Sequence, residues 1–249
     1  MIRSIYSRTL NILSKLPFKL WGLSLLSGVL SVIVMIFGVL PIITVPVIAV
    51  LNAGMVAVYF AAYNGYDVTS EQLLGGFKDF KRTAVGMCWR MLWIFLWALI
   101  PVAGIFIAIY KSYQYAFTPY ILNEEKEVGA LDALKKSKQD TQGYKLQMFI
   151  AVAIPVAAFS LVSLVLSLLG MIPYVGVFFT VVSSIISFAY SLISPLFFGL
   201  VQAGFYEYAR KPVKKSLPVQ TSVKVNCPKC EHENYAGQKF CMKCGAKID

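Results

Sequence analysis

Charged residues are absent from two long stretches of the chain. No Asp, Glu, Lys or Arg occurs between Leu20 and Tyr66, or between Leu146 and Tyr206. Each stretch is more than twice as long as the roughly 20 apolar residues that form one membrane-spanning helix, so each predicts two spans joined by a turn. Over the 249 residues the charged fraction is 14%, well below the roughly 25% of soluble domains. The sequence therefore predicts an integral membrane protein.

Groups that enzymes use for acid–base or nucleophilic chemistry are also scarce. None of the predicted spans contains a carboxylate, and the single histidine, His232, lies among the C-terminal cysteines. The chain has no H-E-x-x-H, G-x-S-x-G or phosphate-binding glycine loop. Because a nucleophile without a neighbouring base is not activated, we expect no enzyme activity.

Prolines divide the apolar stretches into segments of spanning length. Unpaired backbone groups are not tolerated in hydrocarbon, so these segments are predicted to be α-helices. The sequence predicts spans near residues 20–39, 43–63, 147–169 and 177–206, the last with a kink at Pro195. A further apolar segment, residues 91–110, is broken at Pro101 and Gly104 and predicts either one span or a pair of helices folded back at Pro101.

The distribution of basic residues decides between these two alternatives. Cytoplasmic segments of membrane proteins are rich in Lys and Arg. Residues 1–19 carry four basic residues and no acid, and a chain that folds back at Pro101 keeps the later lysines on that same side. We therefore predict an all-α polytopic protein of the cell membrane. Its membrane domain, residues 20–207, would hold about six helices as three hairpins, with both termini cytoplasmic.

Two flanking segments are predicted to contact the inner leaflet. In residues 1–19, apolar side chains recur at helical spacing between basic and polar ones, a pattern typical of an amphipathic interfacial helix. A frayed basic tail is the alternative. Residues 208–225 form a polar basic linker. The candidate contacts to anionic headgroups in these two segments are Arg3, Arg8, Lys15, Lys19, Lys211, Lys214 and Lys215.

Arg90 and Lys111 lie at nearly equal distances in sequence from Pro101. At about 1.5 Å per helical residue both would sit roughly 15 Å from a turn at Pro101, near the middle of the bilayer if that turn reached the far side. A charge at that depth is unfavourable, which favours a shallow or tilted hairpin whose two cations reach the inner surface. The alternatives are a buried cationic site for an anion or lipid headgroup, and a single crossing.

Residues 226–249 contain a metal-binding pattern. Two residues separate Cys227 from Cys230 and Cys241 from Cys244, and ten residues lie between the pairs. Two such pairs supply the tetrahedral four-sulfur site of structural Zn²⁺, here within a small C-terminal β zinc ribbon. Four sulfur ligands leave no open position for a substrate, so a structural role is predicted. Disulfides and a His232 ligand are the alternatives, and a reducing cytoplasm disfavours the first.

Two parts of the sequence resemble known families. The run CPKCEHENYAGQKFCMKCGAKI resembles the short zinc ribbons fused to many bacterial membrane and regulatory proteins, with matches at the four cysteines, Pro228, Phe240 and Gly245; this resemblance implies zinc binding. Residues 96–149 resemble a bacterial integral-membrane family of unknown function, DUF family nine-seventy-five. The shared features are the Ile-Pro turn, an aromatic run ending in Pro119-Tyr120-Ile121-Leu122, an Ala-Leu-rich helix with Ser137, and Gly143-Tyr144-Lys145. That family usually has glycine after the proline, where this chain has Val102, and it implies no established activity.

These features favour a noncatalytic membrane protein whose cytoplasmic zinc ribbon docks a partner protein, in a regulatory, assembly or envelope-stress role. The alternative is a transporter or permease for a lipid or hydrophobic solute, because broken helices and repeated hairpins occur in transporters. Glu231 and Glu233 dilute the basic charge of the ribbon, which argues against nucleic-acid binding. Self-association into a homo-oligomer stays open.

Overall fold

Ten α-helices and a two-stranded sheet make up the part of the chain that the computed structural model describes, which is residues 1–15, 17–38, 41–210, 224–235, 240–241 and 243–247. The helices are α1 Ile2–Lys15, α2 Pro17–Phe37, α3 Pro41–Tyr63, α4 Ser70–Leu74, α5 Phe80–Ala98, α6 Gly104–Gln114, α7 Thr118–Glu124, α8 Ala130–Asp140, α9 Lys145–Leu169 and α10 Gly176–Ala209. A 3₁₀ turn, Gly75–Asp79, joins α4 to α5. Strands β1 Lys224–Asn226 and β2 Glu233–Tyr235 pair antiparallel, with Val225 opposite Asn234. The chain is thus mostly helical, with a small C-terminal β unit, as predicted.

Four of these helices are long and apolar enough to cross a membrane. They are Phe18–Phe37 in α2, Pro41–Tyr63, Lys145–Leu169 and Gly176–Ala209, and they coincide with four predicted spans to within a few residues. The central segment breaks at residues 99–103, around the predicted turn at Pro101. Its second helix, α6, has 11 residues and so extends only about 16 Å, half of a hydrocarbon core of about 30 Å. The predicted count of six spans is therefore not confirmed.

The turn between α5 and α6 has the same construction as the turn between α9 and α10. Both read I-P-x-x-G, at residues 100–104 and 172–176. In both, the glycine N–H donates to the isoleucine carbonyl, at 2.9 Å in the first turn and 2.8 Å in the second. The residue after each proline is left-handed, Val102 at φ 63° and Tyr174 at φ 71°. A Cβ on Gly104 would lie 2.6 Å from the Ala98 carbonyl oxygen, which explains why glycine occupies this position.

The buried core lies at one end of the long helices rather than along their length. There Tyr120 of α7 and Phe117, which directly precedes that helix, lie beside the last turns of α3 and α10. Tyr120 stacks on Tyr206 with ring centroids 4.6 Å apart, and Phe117 meets Tyr206 edge-on at 5.3 Å. Such aromatic contacts stabilise a core beyond the burial of apolar area alone. Away from this end, α9 and α10 are mostly exposed, which fits contact with lipid.

The predicted amphipathic leader helix is present as α1, and its apolar face packs on the membrane helices. Ile5 and Thr9 are fully buried. A Cβ on Gly204 of α10 would lie 2.8 Å from the Ile5 side chain, so α10 approaches α1 closely at a glycine. The Tyr6 hydroxyl donates to the Ala151 carbonyl of α9 at 2.5 Å. Contact of the opposite face with headgroups stays a prediction, and linker residues 211–223 lie outside the described residues.

Candidate metal centre

Each pair of cysteines sits on a tight turn, here called a knuckle: the first is residues 227–231 and the second is residues 241–245. In the first, the Glu231 N–H donates to the Cys227 carbonyl at 2.9 Å. In the second, the Gly245 N–H donates to the Cys241 carbonyl at the same distance. The last residue of each knuckle is left-handed, at φ 56° and φ 68°. The two knuckles therefore share the closing hydrogen bond and a left-handed last residue, a conformation that glycine at position 245 adopts without steric cost.

The two knuckles bring the four predicted ligands, Cys227, Cys230, Cys241 and Cys244, into one cluster. All four Sγ atoms lie within 4.8 Å of one another. The Cys227 and Cys244 sulfurs are 3.6 Å apart, and the Cys230 and Cys241 sulfurs are 3.5 Å apart. With Zn–S bonds of about 2.3 Å, a tetrahedral site requires S···S separations near 3.8 Å, so the cluster fits the ion. Zinc bound here would cross-link the two knuckles.

Nitrogen donors around the sulfurs favour the thiolate form that binds metal. The backbone N–H of Lys229 donates to Cys227 Sγ, and that of Lys243 donates to Cys241 Sγ, each at 3.4 Å. Partial burial raises the pKa of Cys241, but backbone N–H donors, the Asn234 amide and a hydrogen bond with the Cys230 thiol outweigh this effect and lower the pKa. His232 is exposed, and its carbonyl rather than its ring meets the site, accepting the Cys227 N–H at 3.0 Å.

Two knuckles that bring four cysteine sulfurs together form a metal-binding ribbon. Residues 226–248 match the family model of the zinc-ribbon domain, which implies zinc as the ion. No curated protein and no solved structure matches the chain. The resemblance of residues 96–149 to a bacterial membrane family stays a prediction. The chain is thus a helical protein with membrane-spanning candidates and a zinc-binding domain.

The second knuckle is seated on the membrane body. Asn11 Nδ2 donates to the Cys244 carbonyl at 3.1 Å, and Lys15 Nζ donates to the Gly245 carbonyl. Beyond α3, Gly65 is left-handed at φ 78°, and a Cβ there would lie 2.6 Å from the Phe240 carbonyl oxygen. This contact was not predicted from the sequence. No local pattern signals it, because the residues involved are distant in the chain.

The basic residues predicted to contact headgroups have different surroundings. Arg3 is exposed. The Arg8 guanidinium lies over the Tyr63 ring, 4.4 Å from its centroid, and donates to the Tyr63 carbonyl. Lys19 forms an ion pair with Asp67 at 2.9 Å. Arg8, Lys15 and Lys19 therefore all contact protein groups, while headgroup contact stays a prediction for this set. Lys211, Lys214 and Lys215 lie outside the described residues.

The candidate anion or headgroup site consists of Arg90 and Lys111, which also contact different neighbours. Arg90 is beside Tyr120 in the core, and within the described ranges its Nε has no hydrogen-bond partner. Lys111 lies over the Trp97 ring, 5.1 Å from its centroid. The neighbouring Tyr110 hydroxyl accepts a hydrogen bond at 3.0 Å from Lys145, the first residue of α9. Lys111 is therefore close to the level at which α9 begins, which fits a shallow hairpin.

Two arginines outside the predicted set connect parts of the chain at the end of the helix bundle that holds the buried core. Arg210, directly after α10, forms an ion pair with Glu124 of α7, with 2.7 Å between Nη1 and Oε2. Arg82 donates to the Val128 carbonyl at 2.8 Å and to the Leu122 carbonyl at 2.9 Å. Both arginines looked like ordinary basic flank residues in the sequence. Their partners are set by the fold, so spacing alone could not have revealed them.

Proposed function

We propose that this chain is a noncatalytic integral membrane protein whose zinc ribbon stands at the cytoplasmic face and docks a partner protein. The four long apolar helices support membrane insertion, and the cysteine cluster supports a closed, structural zinc site. One observation carries the docking role: the second knuckle contacts α1 of the membrane body, while Pro228, Lys229 and Glu231 of the first knuckle are exposed.

The cytoplasmic placement is supported by the topology. Four crossings, or six if the central pair also crosses, bring the two termini to the same side. The contact between Asn11 and Cys244 requires this arrangement as well, since α1 and the ribbon touch. The segments on that side carry Arg3, Arg8, Lys15 and Lys19, and basic residues concentrate on the cytoplasmic side of membrane proteins.

The outward face of the ribbon supports docking of a protein. Pro228 and Glu231 of the first knuckle are exposed, as is His232, which directly follows it. Zinc fixes the backbone of this turn, so little conformational entropy would be lost when a partner binds it. A small rigid surface with an apolar ring, a carboxylate and an imidazole can pair with a complementary patch on a soluble protein.

Crosslinking and pull-down from native membranes test this proposal. We expect one partner to be captured by the wild-type chain, and capture to fall about tenfold when Glu231→Lys and His232→Ala are combined, through loss of a paired charge and its neighbour. The matched control is Lys135→Ala, an exposed change on α8 of the membrane body. Equal capture by the combined variant and the control would contradict docking through the first knuckle.

The repeated I-P-x-x-G turns favour a second candidate, transport of a lipid or hydrophobic solute. Internal repeats of hairpins are common in transporters, and here two hairpins share one turn geometry. Reconstituted vesicles separate the two functions. A transporter would keep its lipid or dye flux after deletion of residues 212–249, whereas a docking protein would lose partner capture with that deletion and show no flux in either form.

A further inference from the structure

A cavity of about 260 Å³ lies where the zinc ribbon meets the membrane body. One wall is the polar side of α1, and another is the end of α3 with the turn at Gly65. The second knuckle closes the cavity with Cys241, Lys243 and Gly245. Both the ribbon and the membrane body therefore contribute side chains to a single space.

The described residues that line this cavity carry charge of one sign only. Among the described residues that line it are three cations, Arg8, Lys15 and Lys243, and no carboxylate. Glu207 is near Arg8 but does not line the cavity. Three cations gathered around one space repel one another, and an anion placed between them would remove that repulsion.

Hydrogen-bond donors remain available on these cations. In the described part of the chain, Arg8 donates to the Tyr63 carbonyl and Lys15 to the Gly245 carbonyl. A guanidinium has five N–H groups and an ammonium has three, so each side chain keeps further donors for a ligand. Ser7 and Asn11 on α1 and Tyr208 beyond them add polar groups to the lining. Such a mixture of charged and neutral donors suits the oxygens of a phosphate group.

We propose that this cavity binds a phosphate group, held between Arg8 and Lys15 of α1 and Lys243 of the zinc ribbon. The volume is below the usual range of about 300–1,000 Å³ for drug-sized ligands, so the ligand is a small phosphate or the headgroup of a phospholipid. A ligand that touches both walls stabilises the seated ribbon by mass action. The phosphate site does not include the exposed first knuckle, so a negative result for partner docking would not contradict phosphate binding.

Two lysines at equivalent positions allow a matched test. Lys243 and Lys229 each precede the second cysteine of a knuckle, and each donates its backbone N–H to the first, but only Lys243 lines the cavity. Binding of inorganic phosphate to the zinc-loaded full chain in uncharged detergent is measured by calorimetry. Lys243→Gln should weaken binding about tenfold or more, the usual effect of losing a charged hydrogen bond, while Lys229→Gln should not change it.

A second pair of variants leaves the ribbon untouched. Lys15→Gln removes a lining cation from α1 and should also weaken binding about tenfold, whereas Arg3→Gln changes an exposed cation of the same helix and should not. Zinc content is measured for every variant. If Lys243→Gln reduces zinc content, the test of phosphate binding depends on Lys15→Gln, because that substitution leaves the ribbon unchanged.

Nanodiscs distinguish the two sources of phosphate. Hydrogen exchange of α1 is compared in phosphatidylcholine discs with and without phosphatidic acid, whose headgroup is a phosphate monoester. Slower exchange with phosphatidic acid, abolished by Lys15→Gln, identifies a lipid headgroup; calorimetric binding of free phosphate alone identifies a soluble ligand. Either result supports the site. Absence of both, or equal phosphate affinity in Lys243→Gln and Lys229→Gln, overturns it.

Discussion

The Asn11 side-chain amide on the first helix donates a hydrogen bond to the Cys244 carbonyl in the second knuckle, at 3.1 Å. This contact joins residues near opposite ends of the chain. A hydrogen bond cannot reach across a bilayer, so this contact supports the proposal that the N-terminal helix and the ribbon occupy one side of the membrane. The described lining of the cationic cavity includes Asn11 and three residues of the second knuckle, and none of the first knuckle.

Thiol labelling in intact cells tests which side this is. In a Cys88→Ser background the cysteines of the ribbon are the only thiols. After a membrane-permeant chelator has removed the metal, we expect an impermeant maleimide to label them only once the cells are permeabilised. Tyr174→Cys supplies the external control, since this residue is fully exposed at the turn between α9 and α10. Labelling of the ribbon in intact cells would contradict the cytoplasmic placement.

The depth of the central hairpin is tested by a second cysteine at the equivalent turn position. Val102→Cys and Tyr174→Cys replace the left-handed residue of the two I-P-x-x-G turns. Because α6 extends only about 16 Å, the turn at Val102 should end within the bilayer. We expect rapid external labelling at position 174 and little labelling at position 102 from either side. Equal external labelling would show that the central pair crosses the membrane.

The features predicted from the sequence are those that local composition determines. The absence of charged residues and the positions of prolines predicted the bounds of four spans to within a few residues. They could do so because lipid requires each spanning helix to be long and apolar by itself. The spacing of cysteines placed all four metal ligands, because a knuckle is a five-residue structure. Arg8 shows the limit: its contact with Tyr63 depends on how α1 packs against α3, which its own neighbours in sequence do not encode.

Metal removal should unfold the ribbon and leave the helical body intact. The ribbon has a small buried cluster centred on Cys227 and Cys241, so zinc must supply most of its folding free energy, about 10–16 kcal/mol for structural zinc peptides. We expect one zinc per wild-type chain and less than about a tenth of that in Cys230→Ser, given the loss of one of four ligands. Helical circular dichroism should be unchanged. Cys88→Ser, which removes a cysteine outside the cluster, should keep the full zinc content.

Burial of Glu124, which forms an ion pair with Arg210, should make stability depend on pH. Burial raises the pKa of Glu124 from 4.5 to about 7, and Arg210 partly opposes this rise. Between these two pH values the folded chain binds a proton that the unfolded chain has lost, so the free energy of unfolding falls as pH rises, by about 3 kcal/mol in total. Arg210→Gln should move the upper end of this window above pH 7.

Thermal unfolding in detergent between pH 4 and 9 measures the effect. Glu124→Gln should abolish the dependence contributed by this group, because the amide does not titrate. Asp132→Asn, in an exposed ion pair with Lys135, is the control and should leave the pH profile of the wild type unchanged. A profile for Glu124→Gln identical to that of the control would contradict the assignment.

The left-handed backbone at Val102 predicts a stabilising substitution. A β-branched residue at φ 63° bears a steric cost that glycine avoids, typically about 1–2 kcal/mol. The Val102 side chain is 93% exposed, so its removal loses almost no packing within the protein. Val102→Gly should therefore raise the midpoint of thermal unfolding in detergent, because the relieved strain exceeds the roughly 0.5–1 kcal/mol that the flexibility of glycine costs. At the adjacent Ala103, where φ is −80°, glycine relieves no strain and should lower the midpoint, because it adds flexibility to the unfolded chain. Equal lowering of the midpoint by both substitutions would contradict the left-handed backbone conformation at Val102.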